Sequence, residues 1–80
     1  MLQPIKVKAE WDDEASVWVA ESGDVPGLVA EAETVEALSE KLRVLIPEML
    51  EANGMTPETE DHELSFDILA DRRDRARLAV

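Results

Sequence analysis

Eighty residues with nineteen acidic and eight basic side chains carry a net charge of −11, and the chain has no cysteine. A chain this short buries only about 60–65% of its unfolded surface, which leaves room for one small core and none for a second. Disulfides and thiolate metal centres are excluded, no apolar run approaches the roughly eighteen residues of a membrane span, and the N-terminus lacks the apolar core of a signal peptide, so a cytoplasmic protein is the expectation.

Ile5, Val7, Ala9 and Trp11 alternate with Lys6, Lys8 and Glu10, the period-two pattern of a strand with one buried and one wet face. Asp12 to Ala15 reverse the chain, and Ser16 to Ser22 return as a second strand. Both faces of that strand are apolar, with Val17 and Val19 on one and Trp18 and Ala20 on the other. In the run Asp24-Val25-Pro26-Gly27-Leu28, Pro26 fixes its own φ and Gly27 supplies the positive φ that a type II turn requires. Leu28 to Ala32 make a third strand. Thr34 stands where a helix N-cap belongs, and Glu36 sets a negative charge in the first turn. The helix is expected from Thr34 to about Asn53, with Val35, Leu38, Leu42, Leu45, Ile46 and Met49 on one stripe and Gly54 as its stop. Pro47 removes a bond to the Arg43 carbonyl, which predicts a bend or break near residues 43–47 that wraps the helix onto a twisted sheet. Met55 to Asp61 form a polar connection, and His62 to Leu69 a last strand with Leu64, Phe66 and Ile68 inward.

The element order is βββαβ, an α+β fold of two layers. Three strands form a meander, and a right-handed helical crossover returns the fourth parallel to the first. The slot beside the first strand is free, giving a four-stranded mixed sheet of order 3-2-1-4 with one helix packed on one face. The other face is left uncovered and is partly apolar, so a homodimer through that face or its edge is expected. The domain spans 1–70 and is followed by a short Arg-rich tail, 71–80, read as a helical turn or two or as a flexible arm.

Asp24, Pro26, Gly27, Leu28, Thr34, Glu36, Ala37 and Leu38 form a run that resembles the HicB-like antitoxin superfamily. Its members carry Asp-x-Pro-Gly-Cys/Leu, a short strand, and then x-Thr-x-Glu-Glu/Ala-Leu. The likeness extends from Ile5 to Gly54 and is similar above all to short stand-alone members of unassigned function. It rests there on Trp11-Asp12-Asp13-Glu14-Ala15, on Val17-Trp18-Val19-Ala20-Glu21-Ser22, and on Leu45-Ile46-Pro47-Glu48-Met49-Leu50 ending in Asn53-Gly54. The resemblance implies a partial ribonuclease-H-like, HicB-like fold and a non-catalytic antitoxin role. Such a domain would mask a small basic HicA-type mRNA ribonuclease toxin by covering its RNA-binding face and catalytic histidine. Full-length members usually carry a second, DNA-binding domain. Only eleven residues follow Leu69, too few for one, so autoregulation of an operon is not expected.

Charge agrees with a protein-binding module. Residues 1–70 hold seventeen acids against Lys6, Lys8, Lys41 and Arg43, while the tail sets Arg72, Arg73, Arg75 and Arg77 against Asp71 and Asp74. An acidic body repels phosphate, which argues against direct nucleic-acid binding, and it draws in a basic protein. Acidity of this kind also serves solubility alone. Trp18 has the profile of an interface anchor, and Asp24, Glu31 and Glu33 join it as candidate partner contacts. Whether Trp18 or Trp11 is the exposed ring stays open at this level, because the hairpin register is unknown. Pro26, Gly27, Thr34 and Gly54 are read as structural turn and cap residues.

Catalytic signals are scarce. His62 has no signature around it, and Ser16, Ser22, Ser39 and Ser65 sit in no nucleophile motif. Glu31, Glu33 and Asp67 are too few and too scattered for a two-metal centre, and no glycine-rich phosphate loop is present. No catalytic residue, metal site or cofactor is therefore expected. The alternative to an antitoxin is a stand-alone homo-oligomer of unassigned function with no toxin partner.

Overall fold

The computed structural model describes residues 4–55 and 64–79, in the order β1 (Ile5–Asp12), β2 (Val17–Glu21), β3 (Val29–Ala32), α1 (Val35–Ala52) and β4 (Phe66–Asp71). The sheet runs β3-β2-β1-β4, with β1–β2 and β2–β3 antiparallel and β4 parallel to β1. This is the βββαβ arrangement and the 3-2-1-4 order that the sequence predicts.

Register turns the alternation into rows. On the side facing the helix, Ala70, Ala9, Ala20 and Ala30 lie abreast across all four strands. To one side of them Trp11, Trp18 and Ala32 form a row, and to the other Val7 pairs with Ile68 and Ile5 with Phe66. Alanine has no bulk beyond Cβ, so the middle row is a shallow trough that admits longer side chains from above. Leu38, Leu42, Ile46 and Leu50 supply them, each four residues from the last and at most 5% exposed. The buried line is narrower than the expected stripe: Leu50 joins it, while Val35, Leu45 and Met49 are half-buried at its flanks. α1 lies over β3 and β2. Ile5, Phe66 and Ile68, on the β1–β4 half, pack against the core yet stay half-buried.

Glycine turns fasten the helix to the sheet. The Leu28 N–H donates to the Val25 carbonyl at 3.1 Å with Gly27 at φ +82°, the geometry of a type II turn. Val25 is fully buried in that turn, a core position that the sequence pattern did not mark. Thr34 caps α1, its Oγ1 accepting from the Ala37 N–H at 3.0 Å. At the far end the Met55 N–H donates to the Leu50 carbonyl at 2.8 Å and the Gly54 N–H to the Glu51 carbonyl at 3.1 Å, with Gly54 at φ +67°. This pairing is a Schellman stop. Asn53 Nδ2 then donates to the Pro26 carbonyl at 3.0 Å, tying the helix end to the Pro-Gly turn.

Of the bend or break expected at Pro47, the structure excludes the break. α1 is continuous from Val35 to Ala52 and does not break there. Arg43 and Pro47 both lie on the exposed side, so water can solvate the carbonyl that loses its partner. The last strand also differs from the expected 62–69. Residues 62 and 63 lie outside the described residues; Leu64 and Ser65 precede the strand, which begins at Phe66, the partner of Ile5, and continues to Asp71. Residues 72–79 have no helical turn.

The β1–β2 reversal holds one strained residue. Asp12 accepts from the Glu14 and Ala15 N–H groups at 3.0 and 3.3 Å, and the chain then rejoins β2 through Ser16 at φ +55°. Ser16→Gly should relieve that left-handed strain and gain about 0.5–1 kcal/mol, a rise of roughly 2–8 °C in melting temperature for a domain of this size. An unchanged or lower melting temperature would contradict it. Gly27→Ala should act in the opposite sense, because residue 27 has φ +82° and its new Cβ would stand 3.1 Å from Met49 Cε. The expected loss is about 1–2 kcal/mol, read as a lower urea midpoint at constant slope.

Candidate interaction face

The sheet face turned away from α1 is a mosaic. Register sets Asp67 beside Lys6 in one row, and Leu69, Lys8, Glu21 and Val29 in the next. A third row holds Asp71, Glu10, Val19 and Glu31, and a fourth holds Asp12 and Val17. Val29 is 68% and Leu69 61% exposed, while Val17 and Val19 are half-buried. Lys6 Nζ meets Asp67 at 2.6 Å and Lys8 Nζ meets Glu10 at 3.2 Å. Among the described residues, Asp12, Glu21, Glu31 and Asp71 have no cation at ion-pair distance. Glu10 and Asp71 stand directly opposite across β1 and β4, where like charges repel, and Lys8 pairs with Glu10. The depression bordered by Lys6, Lys8, Glu21, Val29 and Leu69 is open to solvent.

The four candidate contacts do not form one patch. Glu31 lies on this open face, and Glu33 is exposed in the bend just beyond β3. Trp18 lies on the opposite side, half-buried and packed against the core beside the helix. Trp11 shares that side, with the two rings edge to face at 5.5 Å between centroids and 67° between planes. Trp11 Nε1 donates to Asp13 at 2.7 Å, and the Arg72 guanidinium stands 4.1 Å from its ring centre. The choice between an exposed Trp18 and an exposed Trp11 thus has a third answer: both are half-buried, and neither reaches the open face.

Asp24, though exposed, also bonds to the backbone of the sheet. β2 ends at Glu21, so the Lys6 backbone has no strand partner on that side. The Asp24 carboxylate accepts from the Lys6 N–H at 2.9 Å, and Ser22 Oγ donates to the Lys6 carbonyl at 2.5 Å. Two side chains thereby stand in for the missing strand residue. Sequence reading passed over Glu21, Val29 and Leu69, because their shared face follows from strand register and no single strand reveals it.

Among the described residues, no three His, Cys, Asp or Glu side chains are grouped as a metal ion needs. His62 lies outside the described residues. No helix among the described residues is long and apolar enough to cross a membrane. An open face of scattered apolar side chains ringed by carboxylates suits contact with another protein surface, particularly a cationic one.

No curated protein matches the chain. Its structure is similar to the crystal structure of hypothetical protein TTHA1013 from the extremely thermophilic bacterium Thermus thermophilus, at 45% identity and a TM-score of 0.69. That likeness covers 95% of this chain and 100% of the other. A family model described as a domain of unknown function, DUF1902, matches residues 4–80. The chain therefore belongs to the DUF1902 family.

Proposed function

We propose that this protein is a non-catalytic, HicB-like binding module that masks a small basic protein of the HicA-type mRNA ribonuclease class. The observation that carries this reading is the third row of the open face, where Glu10 and Glu31 flank Val19 and Asp71 stands beyond Glu10. Carboxylates around an apolar centre steer a cationic partner into place and give it a desolvated contact once it arrives. The resemblance of the Pro-Gly turn and helix start to HicB-like antitoxins names the kind of partner. Inhibition would be stoichiometric: the acidic face covers the toxin's RNA-binding surface, and no chemistry is asked of this chain.

A second reading, a stand-alone homo-oligomer with no toxin partner, draws support from β4, whose outer edge no other strand among the described residues covers. Native pull-down followed by an mRNA-cleavage assay on the co-purifying basic chain separates the two. Under the masking proposal, the wild-type protein suppresses cleavage at a one-to-one ratio. The double variant Glu10→Lys, Glu31→Lys keeps the fold, loses suppression, and binds at least about tenfold more weakly at low salt. Recovery of only the protein itself at every salt concentration, or full suppression by the double variant, would overturn the masking proposal.

A further inference from the structure

A four-stranded open sheet has two edges, and this one treats them differently. The short edge, β3, is guarded. Backbone groups alternate along a strand, and Ala30 and Ala32 face β2, so Glu31 turns its own outward. Its carbonyl is taken by Lys41 Nζ at 2.6 Å. A lysine laid on an edge in this way blocks further strand pairing.

β4 has no such guard. The Ile5 N–H donates to the Ser65 carbonyl at 3.0 Å, so Ser65, Asp67, Leu69 and Asp71 turn their backbone groups toward β1. By alternation Phe66, Ile68 and Ala70 turn theirs outward. Among the described residues, nothing meets those three N–H and three carbonyl groups. Their side chains lie on the helix-facing side, where α1 leaves the β1–β4 half thinly covered and Phe66 and Ile68 half-buried.

We propose that two copies of the protein pair through β4, antiparallel about a two-fold axis at Ile68, so that their sheets join into one of eight strands. This inference does not rest on the masking proposal, because pairing at the edge leaves the rows around Val19 open.

The register follows from the side chains. A two-fold axis perpendicular to the sheet keeps each copy's faces aligned, so the axis must pass through a residue and only alternate registers exist. With Ile68 on the axis, Ile68 meets its own copy and Phe66 meets Ala70 of the second copy, twice over. All three pairs are apolar, and all are hydrogen-bonded pairs built from the outward groups. On the open face, Asp67 meets Leu69 of the second copy, with no like charges opposed. Moving the axis to Leu69 would instead set Asp67 opposite Asp71 of the second copy twice, a repulsive arrangement.

The absence of native cysteine makes the register directly testable. Wild-type protein at tens of micromolar should sediment as a dimer of the 8.9 kDa chain. Under mild oxidation Ile68→Cys should give a disulfide-linked dimer, since its Cα atoms would lie about 5.5 Å apart. Leu69→Cys should not, because two residues of stagger would hold its Cα atoms about 8 Å apart. Ala70→Pro removes an outward N–H without taking a bond from β1, and should weaken the dimer about ten- to a hundredfold with circular dichroism unchanged. A wild-type monomer, crosslinking through Leu69 in place of Ile68, or a folded Ala70→Pro variant that dimerises as tightly as wild type would each overturn the proposal. If Ala70→Pro does not fold, the two cysteine variants decide it alone.

Discussion

Seating Leu38, Leu42, Ile46 and Leu50 over the buried alanines Ala9, Ala20 and Ala30 is the interaction on which the rest of the structure depends. A row of alanines lets the helix approach closely, and close approach is what buries four long side chains in a chain of eighty residues. The Pro-Gly turn and the Schellman stop then fix where the helix lies. Asn53 bonds to the Pro26 carbonyl, and Met49 fills the space a side chain at Gly27 would take. Both fastenings are on the β3 side. The helix is therefore anchored toward one edge of the sheet, and the other edge receives less cover.

That asymmetry accounts for the surface. On the guarded side, Lys41 closes the β3 edge, while Asp24 and Ser22 finish the backbone of β1 where β2 ends. On the β4 side, Phe66 and Ile68 stay half-buried and their backbone groups point outward. The same sheet shows two distinct surfaces for contact: an acidic face with apolar side chains around Val19, and a strand edge with matched donors and acceptors. Acidity favours encounter with a cationic protein, whereas an unpaired edge favours another strand. The two can be occupied together.

Local signals made most of the fold legible. Alternation in Ile5 to Trp11, the Pro26-Gly27 turn, the Thr34 cap and the Gly54 stop each act within a few residues, so each can be read from a short window. Topology followed, because a meander plus one helical crossover leaves few places for the fourth strand. The interaction face was less legible for a physical reason. Trp18, Asp24, Glu31 and Glu33 were selected by residue type, yet Trp18 points to the helix side and Asp24 is spent on the Lys6 backbone. Faces are assigned by strand register, a property of pairs of strands, and Glu21, Val29 and Leu69 become neighbours of Lys8 only through it. Pro47 shows the reverse case, where a strong local rule is relaxed because its consequence falls on the solvated side of α1.

The central claim is that this sheet is guarded at its β3 edge, where Lys41 takes the Glu31 carbonyl, and left open to pairing at its β4 edge. Amide hydrogen exchange along β4, measured at two protein concentrations a hundredfold apart, tests it most directly. The Asp67, Leu69 and Asp71 amides, which face β1, should be protected at both concentrations, and the Phe66, Ile68 and Ala70 amides should gain protection only at the higher one. If those three exchange freely at both concentrations, or are protected equally at both, the account is contradicted.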